Sequence, residues 1–179
     1  MDELLDLVDD DDRPVGSASK AAVHSGGLVH RGVFFFIYDN YGRILVSQRS
    51  DDREFFPGYW SIAIGGHLHK GEGYDAAALR KLKESVGLEA KPAFITTYKK
   101  RFDDLDRENV RVYAFFTDKS LIPDPKKIKQ GEFLTMEELE IKMLRENFTP
   151  ETLTLYVIAR DFLSIAVDIS QQAKKTKGA

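Results

Sequence analysis

From Gly65 to Ala90 the chain reads GGHLHKGEGYDAAALRKLKESVGLEA, a glycine-rich turn leading into a helix that carries Glu84. Glycines at such a turn let backbone amides and carbonyls approach an ion or a phosphate closely. On a helix, positions three and four apart share a face, so residues 81, 84 and 85 fall within one sector of about 100°. Carboxylates in that sector would hold a hard divalent cation, which neutralises phosphate oxygens and activates water. Here the sector carries Lys81, Glu84 and Ser85. An ammonium ~4 Å from a divalent ion is repelled by about 8 kcal/mol at an effective dielectric near 20. Lys81 must therefore turn away, grip a substrate phosphate itself, or leave the position without an ion. Arg49 and Arg53 add planar forks suited to phosphate oxygens, and with Lys81 they form the candidate substrate-binding set.

The elements that must position these groups alternate between two periods. VFFFIYD (33–39), the turn signal Asn40-Tyr41-Gly42 and RILVSQR predict a hairpin. WSIAIGG (60–66) predicts one further strand running into the glycines. From Tyr74 to Val86 the pattern becomes helical, with an apolar stripe of Ala76, Ala77, Leu79, Leu82 and Val86, and Gly87 stops it. AFITTYKKRF and VRVYAFF read as strands joined by a polar turn from Asp103 to Asn109, and a short strand is expected over Gln130 to Leu134. Thr135 with Glu138 forms a capping box for a helix near Met136 to Arg145, and Thr149-Pro150-Glu151 starts a last helix. The order is that of an α+β fold, a mixed sheet with a few helices packed against it.

A length of 179 residues holds a core but not two ordinary domains. Hydrophobic residues make up 42% and charged residues 31%, with no apolar run of bilayer length and no leader pattern at Met1, so a cytoplasmic protein with no membrane association is expected. Cysteine is absent, which excludes disulfides, thiolate metal sites and a thiol nucleophile. The net charge of −3 hides an acidic start over residues 1–12 and a polar tail over 171–179 bearing Lys174, Lys175 and Lys177. Neither end has the charge of a nucleic-acid surface. Both are expected as solvated, flexible ends of a single domain over 13–170.

Gly66, five residues, Glu72, seven residues, Arg80, Leu82, Glu84, Gly87 and Leu88 resemble the Nudix box, and RILVSQRS, FPGYWSIAIGGH and GEFLTMEEL are similar to the segments that flank it. The resemblance implies an α/β/α sandwich around a mixed sheet. It also implies hydrolysis of a nucleoside-diphosphate-linked or other small-molecule diphosphate with Mg2+ or Mn2+, and a homodimer as a common assembly. Residue by residue, it nominates Glu84 and the Gly66 backbone as metal ligands and Glu72 as a metal-site glutamate of largely structural role. Glu132 matches the region of a later catalytic glutamate on a loop, beside Glu84 as the other catalytic candidate. The family's Arg-Glu and Glu-Glu pairs read Arg80-Lys81 and Glu84-Ser85 here, which implies weak metal binding and reduced activity, or a phosphate-ligand binding module without turnover. AAVHSGGLVHRG with GGHLHKGE further resembles the isopentenyl-diphosphate isomerase branch, nominating His24, His30 and His67 as metal ligands, although the spacing of the first two is one residue short. Isomerase chemistry needs a thiol and an acid. The thiol position reads Gly65, and the later-strand carboxylate positions fall near Asn109 and Arg111, with Glu108 a register step away, so that activity is disfavoured.

Overall fold

The computed structural model describes residues 3–101 and 104–177, with residues 166–177 described by backbone alone. The elements in chain order are β1 (Leu4–Val8), β2 (Pro14–Ser19), α1 (Lys20–Ser25), β3 (His30–Tyr38), β4 (Ile44–Arg49), β5 (Trp60–Ser61), β6 (Ile64–His67), α2 (Tyr74–Val86), β7 (Ala93–Arg101), β8 (Arg107–Phe116), β9 (Ile128–Leu134), α3 (Met136–Met143) and α4 (Thr152–Lys177). The chain divides into two compact units, Met1–Ile37 with Ile64–Asp124, and Tyr38–Ala63 with Pro125–Ala179.

In the first unit β3 pairs with β1, β6 and β8, and β7 lies beyond β8. The core is built from Val33, Phe35, Val112 and Phe115 on the strands and Ala77, Ala78, Leu82 and Val86 on α2, all at most 1% exposed. Phe35 meets Phe115 edge to face at 5.3 Å, the geometry favoured by ring quadrupoles. Helix α2 has the predicted limits, and Gly87 caps it at φ 66°, a left-handed conformation that glycine adopts without a Cβ penalty. Its buried stripe is rotated from the predicted one. Tyr74, Ala77, Ala78, Leu82, Ser85 and Val86 face inward, whereas Leu79 is 41% exposed.

The acidic start is not a solvated segment. Within it, Leu4–Val8 forms β1, paired antiparallel with β2 from Leu4↔Ser19 to Val8↔Pro14 and touching β3 at Leu7↔His30. The LLDLV run drives this, since Leu5 and Val8 of the strand are buried in the core while none of the carboxylates from Glu3 to Asp12 is buried. At the end of the connecting turn Asp12 takes φ 64°. Its Oδ1 accepts from Arg31 Nε at 3.1 Å, Tyr74 OH at 3.0 Å and Asn109 Nδ2 at 3.4 Å. Strand β8 begins at Arg107, earlier than expected, inside what was read as the polar turn. Phe102, the last residue of the strand expected before that turn, and Asp103 of the turn lie outside the described residues.

In the second unit β4 pairs with β5 and β9, and Tyr38 at the end of β3 pairs with Ile44. Gly42 makes the predicted turn at φ 76°. Ile44, Val46, Ile62, Leu139, Leu155 and Ala159 are almost wholly buried. The stretch expected as one strand from Trp60 to Gly66 is two, because Ser61 Oγ donates to Ala63 O at 2.8 Å and accepts from Ala63 N at 3.3 Å, turning the backbone out of the ladder. Thr135 and Glu138 form the capping box of α3 as predicted. The tail differs from expectation: with no glycine or proline between Thr152 and Lys177 to break it, the α4 backbone continues to Lys177. Gly178 and Ala179 lie outside the described residues. Among the described residues no helix is long and apolar enough to cross a membrane.

Candidate metal and phosphate site

Three histidines from three elements of the first unit converge. Ser19 caps α1 by accepting from Ala22 N at 3.3 Å, and His24 sits in that helix's last turn. His30 opens β3, and His67 closes β6 in register with Gly32. The ring centroids lie 5.3 Å apart for His24 and His30, and 4.8 Å apart for His67 with each of the others. One ligand atom from each falls within 4.8 Å of the other two. Burial lowers the pKa of His24, aided by His30, and burial with the charges of His30 and His24 takes His67 well below its ordinary value. Those two rings are therefore neutral near pH 7, the form that ligates. His30 Nδ1 lies 3.0 Å from Leu28 O, which as an acceptor takes the Nδ1 proton in a hydrogen bond and leaves Nε2 as the nitrogen a metal would use in the neutral ring. That Nε2 is buried without a hydrogen-bond partner among the described residues, a costly arrangement that a bound cation would relieve.

Beside the histidines stands a carboxylate that the sequence reading left a register step away. Glu108 on β8 is 4% exposed, and its Oε1 is 4.0 Å from His67 Nε2. Burial would raise its pKa, but the Lys100 ammonium and His30 outweigh burial and hold it below its ordinary value. Lys100 Nζ lies 3.0 Å from Glu108 Oε1 and 2.8 Å from Asp106 Oδ2. Asp106, half-buried, is pushed up by desolvation. Three imidazoles and a buried carboxylate suit a borderline divalent cation, so the residues present fit a metal.

The box helix does not offer a second such place. Lys81 Nζ lies 3.3 Å from Glu84 Oε2, and its stem packs so closely on Gly66 that a Cβ there would lie 2.6 Å from Lys81 Cε. The ammonium thus stands on Glu84 where an ion would need to be, and burial lowers its pKa against the pull of Glu84. Ser85 does not share that face in practice. It is 3% exposed, and its carbonyl accepts from Asp124 N at 2.9 Å.

Glu72 is engaged by protein groups rather than presented to an ion. Arg80 donates from Nε to Oε1 at 2.7 Å and from Nη2 to Oε2 at 2.6 Å, and His69 N donates to Oε2 at 2.9 Å. Arg80 also pairs with Glu84 at 3.2 Å and donates to His67 O at 3.2 Å, tying helix to turn.

In the second unit Glu132 lies within the short strand expected over Gln130 to Leu134 and not on the loop that the resemblance implies. It sits in the β9 ladder opposite Val46, its carboxylate 3.0 Å from Lys142 Nζ, which lies 3.7 Å above the Trp60 ring. Arg49 donates to Phe55 O at 2.7 Å and Phe56 O at 3.2 Å and so braces its own loop. Arg53 lies on that loop, its backbone N bonded to Ser50 O at 3.2 Å. Lys100 and Asp106 carried no sequence signal. Their importance comes from the cross-strand register Lys100↔Glu108, which tertiary pairing sets.

Residues 28–155 match the family model described as the NUDIX domain, and the chain belongs to the Nudix family. It is 33% identical over 161 residues, 89% of each chain, to an uncharacterized Nudix hydrolase of Streptomyces coelicolor. It is 32% identical over 173 residues to an isopentenyl-diphosphate Delta-isomerase of Serratia proteamaculans, covering 94% of this chain and 92% of the relative. Among solved structures, DR0079 of Deinococcus radiodurans shares the fold with a TM-score of 0.75 at 26% identity, covering 89% of this chain and 98% of its own. The fold class is the expected one, α+β of the Nudix type.

Proposed function

We propose that this Nudix protein is a divalent-metal-dependent hydrolase of a small-molecule diphosphate, with a nucleoside-diphosphate-linked compound as the substrate class. Its ion lies at His24, His30, His67 and Glu108 instead of on the box helix. The convergence of three histidine ligand atoms within 4.8 Å carries this reading. A bound divalent ion would neutralise phosphate oxygens and lower the pKa of a water. Lys81, held by Glu84 at 3.3 Å, would take over the charge neutralisation that box carboxylates and their ion supply elsewhere, by donating to a phosphate oxygen. Glu84 is the candidate proton acceptor for the attacking water in the first unit, and Glu132 is a separate catalytic candidate in the second; a Gln replacement at each tests it.

Isomerase activity remains disfavoured. Besides the missing thiol, a Cβ at Gly65 would lie 2.5 Å from the Phe34 ring, so the place of that nucleophile is filled. The second reading, a binding module without turnover, is favoured by the lysine seated on Gly66 and Glu84.

The test is product release from a panel of nucleoside diphosphate compounds with Mn2+, Zn2+ and Mg2+. Metal-dependent turnover that drops at least about 100-fold in His67→Ala is expected, since an ion-ligand loss removes several kcal/mol of transition-state stabilisation. Binding of a phosphorylated ligand that is lost in Lys81→Ala, with no turnover of any compound, would instead establish the binding module.

A further inference from the structure

We propose that Lys100 is a positioning residue that sets how tightly this protein holds its divalent ion, by competing with the ion for the Glu108 carboxylate. The inference rests on the metal reading above. Lys100 and Glu108 are cross-strand partners on β7 and β8, so the ladder fixes them side by side. Their side chains are 14% and 6% exposed, and Nζ sits 3.0 Å from Oε1. That same oxygen is 4.0 Å from His67 Nε2, so it is the atom an ion held by the histidines would take.

The carboxylate has little freedom to serve the two cations in turn. Its other oxygen packs against Gly32 so closely that a Cβ there would collide with it. The lysine, by contrast, has a second place to go. Asp106 Oδ2 lies 2.8 Å from Nζ, and the Phe34 ring lies beneath the ammonium at 5.7 Å. An ion entering among the histidines therefore meets a carboxylate already neutralised. Sharing it puts two like charges on one oxygen, unless the ammonium withdraws to Asp106. Lys100 weakens ion binding, and Asp106 limits how much.

Manganese binding by isothermal titration tests this on the full chain. Lys100→Met is expected to tighten Mn2+ at least tenfold, Lys100→Arg to stay near the native affinity, and Asp106→Asn to loosen it at least threefold. In a Glu108→Gln background the gain from Lys100→Met should vanish, because the contested group is gone, which a general field effect would not predict. Lys100→Gln is the second variant should the methionine protein fail to fold. A Lys100→Met or Lys100→Gln protein that binds within twofold of native, or more weakly, overturns the proposal, as does a gain that survives Glu108→Gln. No binding by either the native or the Lys100 variants overturns the metal reading itself. Native binding that is lost in His67→Ala but indifferent to Lys100 overturns only the competition.

Discussion

Lys81 is the residue on which the box turns. Its ammonium satisfies Glu84, its stem covers Gly66, and both features disfavour an ion at the helix. Lys81→Glu would exchange repulsion for attraction and uncover Gly66. The variant is expected to take up one more Mn2+ per chain than the native protein, read as titration stoichiometry, and unchanged stoichiometry would show that residue 81 does not control the site. Restoring the family's other glutamate is a different matter, because Ser85 is 3% exposed. Ser85→Glu buries a charge without a partner, and chemical denaturation should register a loss on the order of 3 kcal/mol with no gain in metal affinity.

Among elements, the box loop and the first hairpin are each fastened by one carboxylate. Glu72 holds Arg80 through two short hydrogen bonds and receives the His69 amide. Burial raises its pKa, but the Arg80 hydrogen bond and the His69 amide outweigh burial and leave it below the ordinary carboxylate value. A carboxylate depressed on folding contributes stability that is full above its unfolded pKa and lost as pH falls through the folded value. The urea midpoint gap between native protein and Glu72→Gln should therefore be constant above about pH 5 and close below it. A gap that widens on acidification would contradict the assignment. Asp12 ties the turn after β1 to Arg31, Tyr74 and Asn109. Asp12→Ala removes the acceptor that those donors share and forces alanine into φ 64°, so a cost of about 1–3 kcal/mol is expected in the same denaturation measurement. Asp12→Asn, which tolerates that φ and keeps an acceptor oxygen, should recover most of it.

For the whole molecule, an ion held at the proposed histidine site would couple metal binding to folding. An ion that binds the folded chain at 100 times its Kd stabilises by about 2.7 kcal/mol, which at this size raises Tm by roughly 5–10 °C. Thermal unfolding with Mn2+ or Zn2+ should show that rise in the native protein and none in His67→Ala. The box, the helix from Tyr74 to Val86, its glycine stop and the α3 capping box were legible in the sequence because each is local: periodicity and caps are set within a few residues along the chain. The three histidines were legible too, though only as a resemblance. What the sequence could not carry was register and direction. Glu108 reaches His67 because β8 pairs with β7 so that Lys100 meets Glu108, and a shift of one residue would have turned that carboxylate to the other side of the sheet. Ser85 lies inward because packing rotates the buried stripe of α2, and Glu132 is fixed in a ladder because β9 pairs with β4. The acidic start became a strand because β2 and β3 offered a partner on each side, a long-range pairing that charge counting along the chain does not contain.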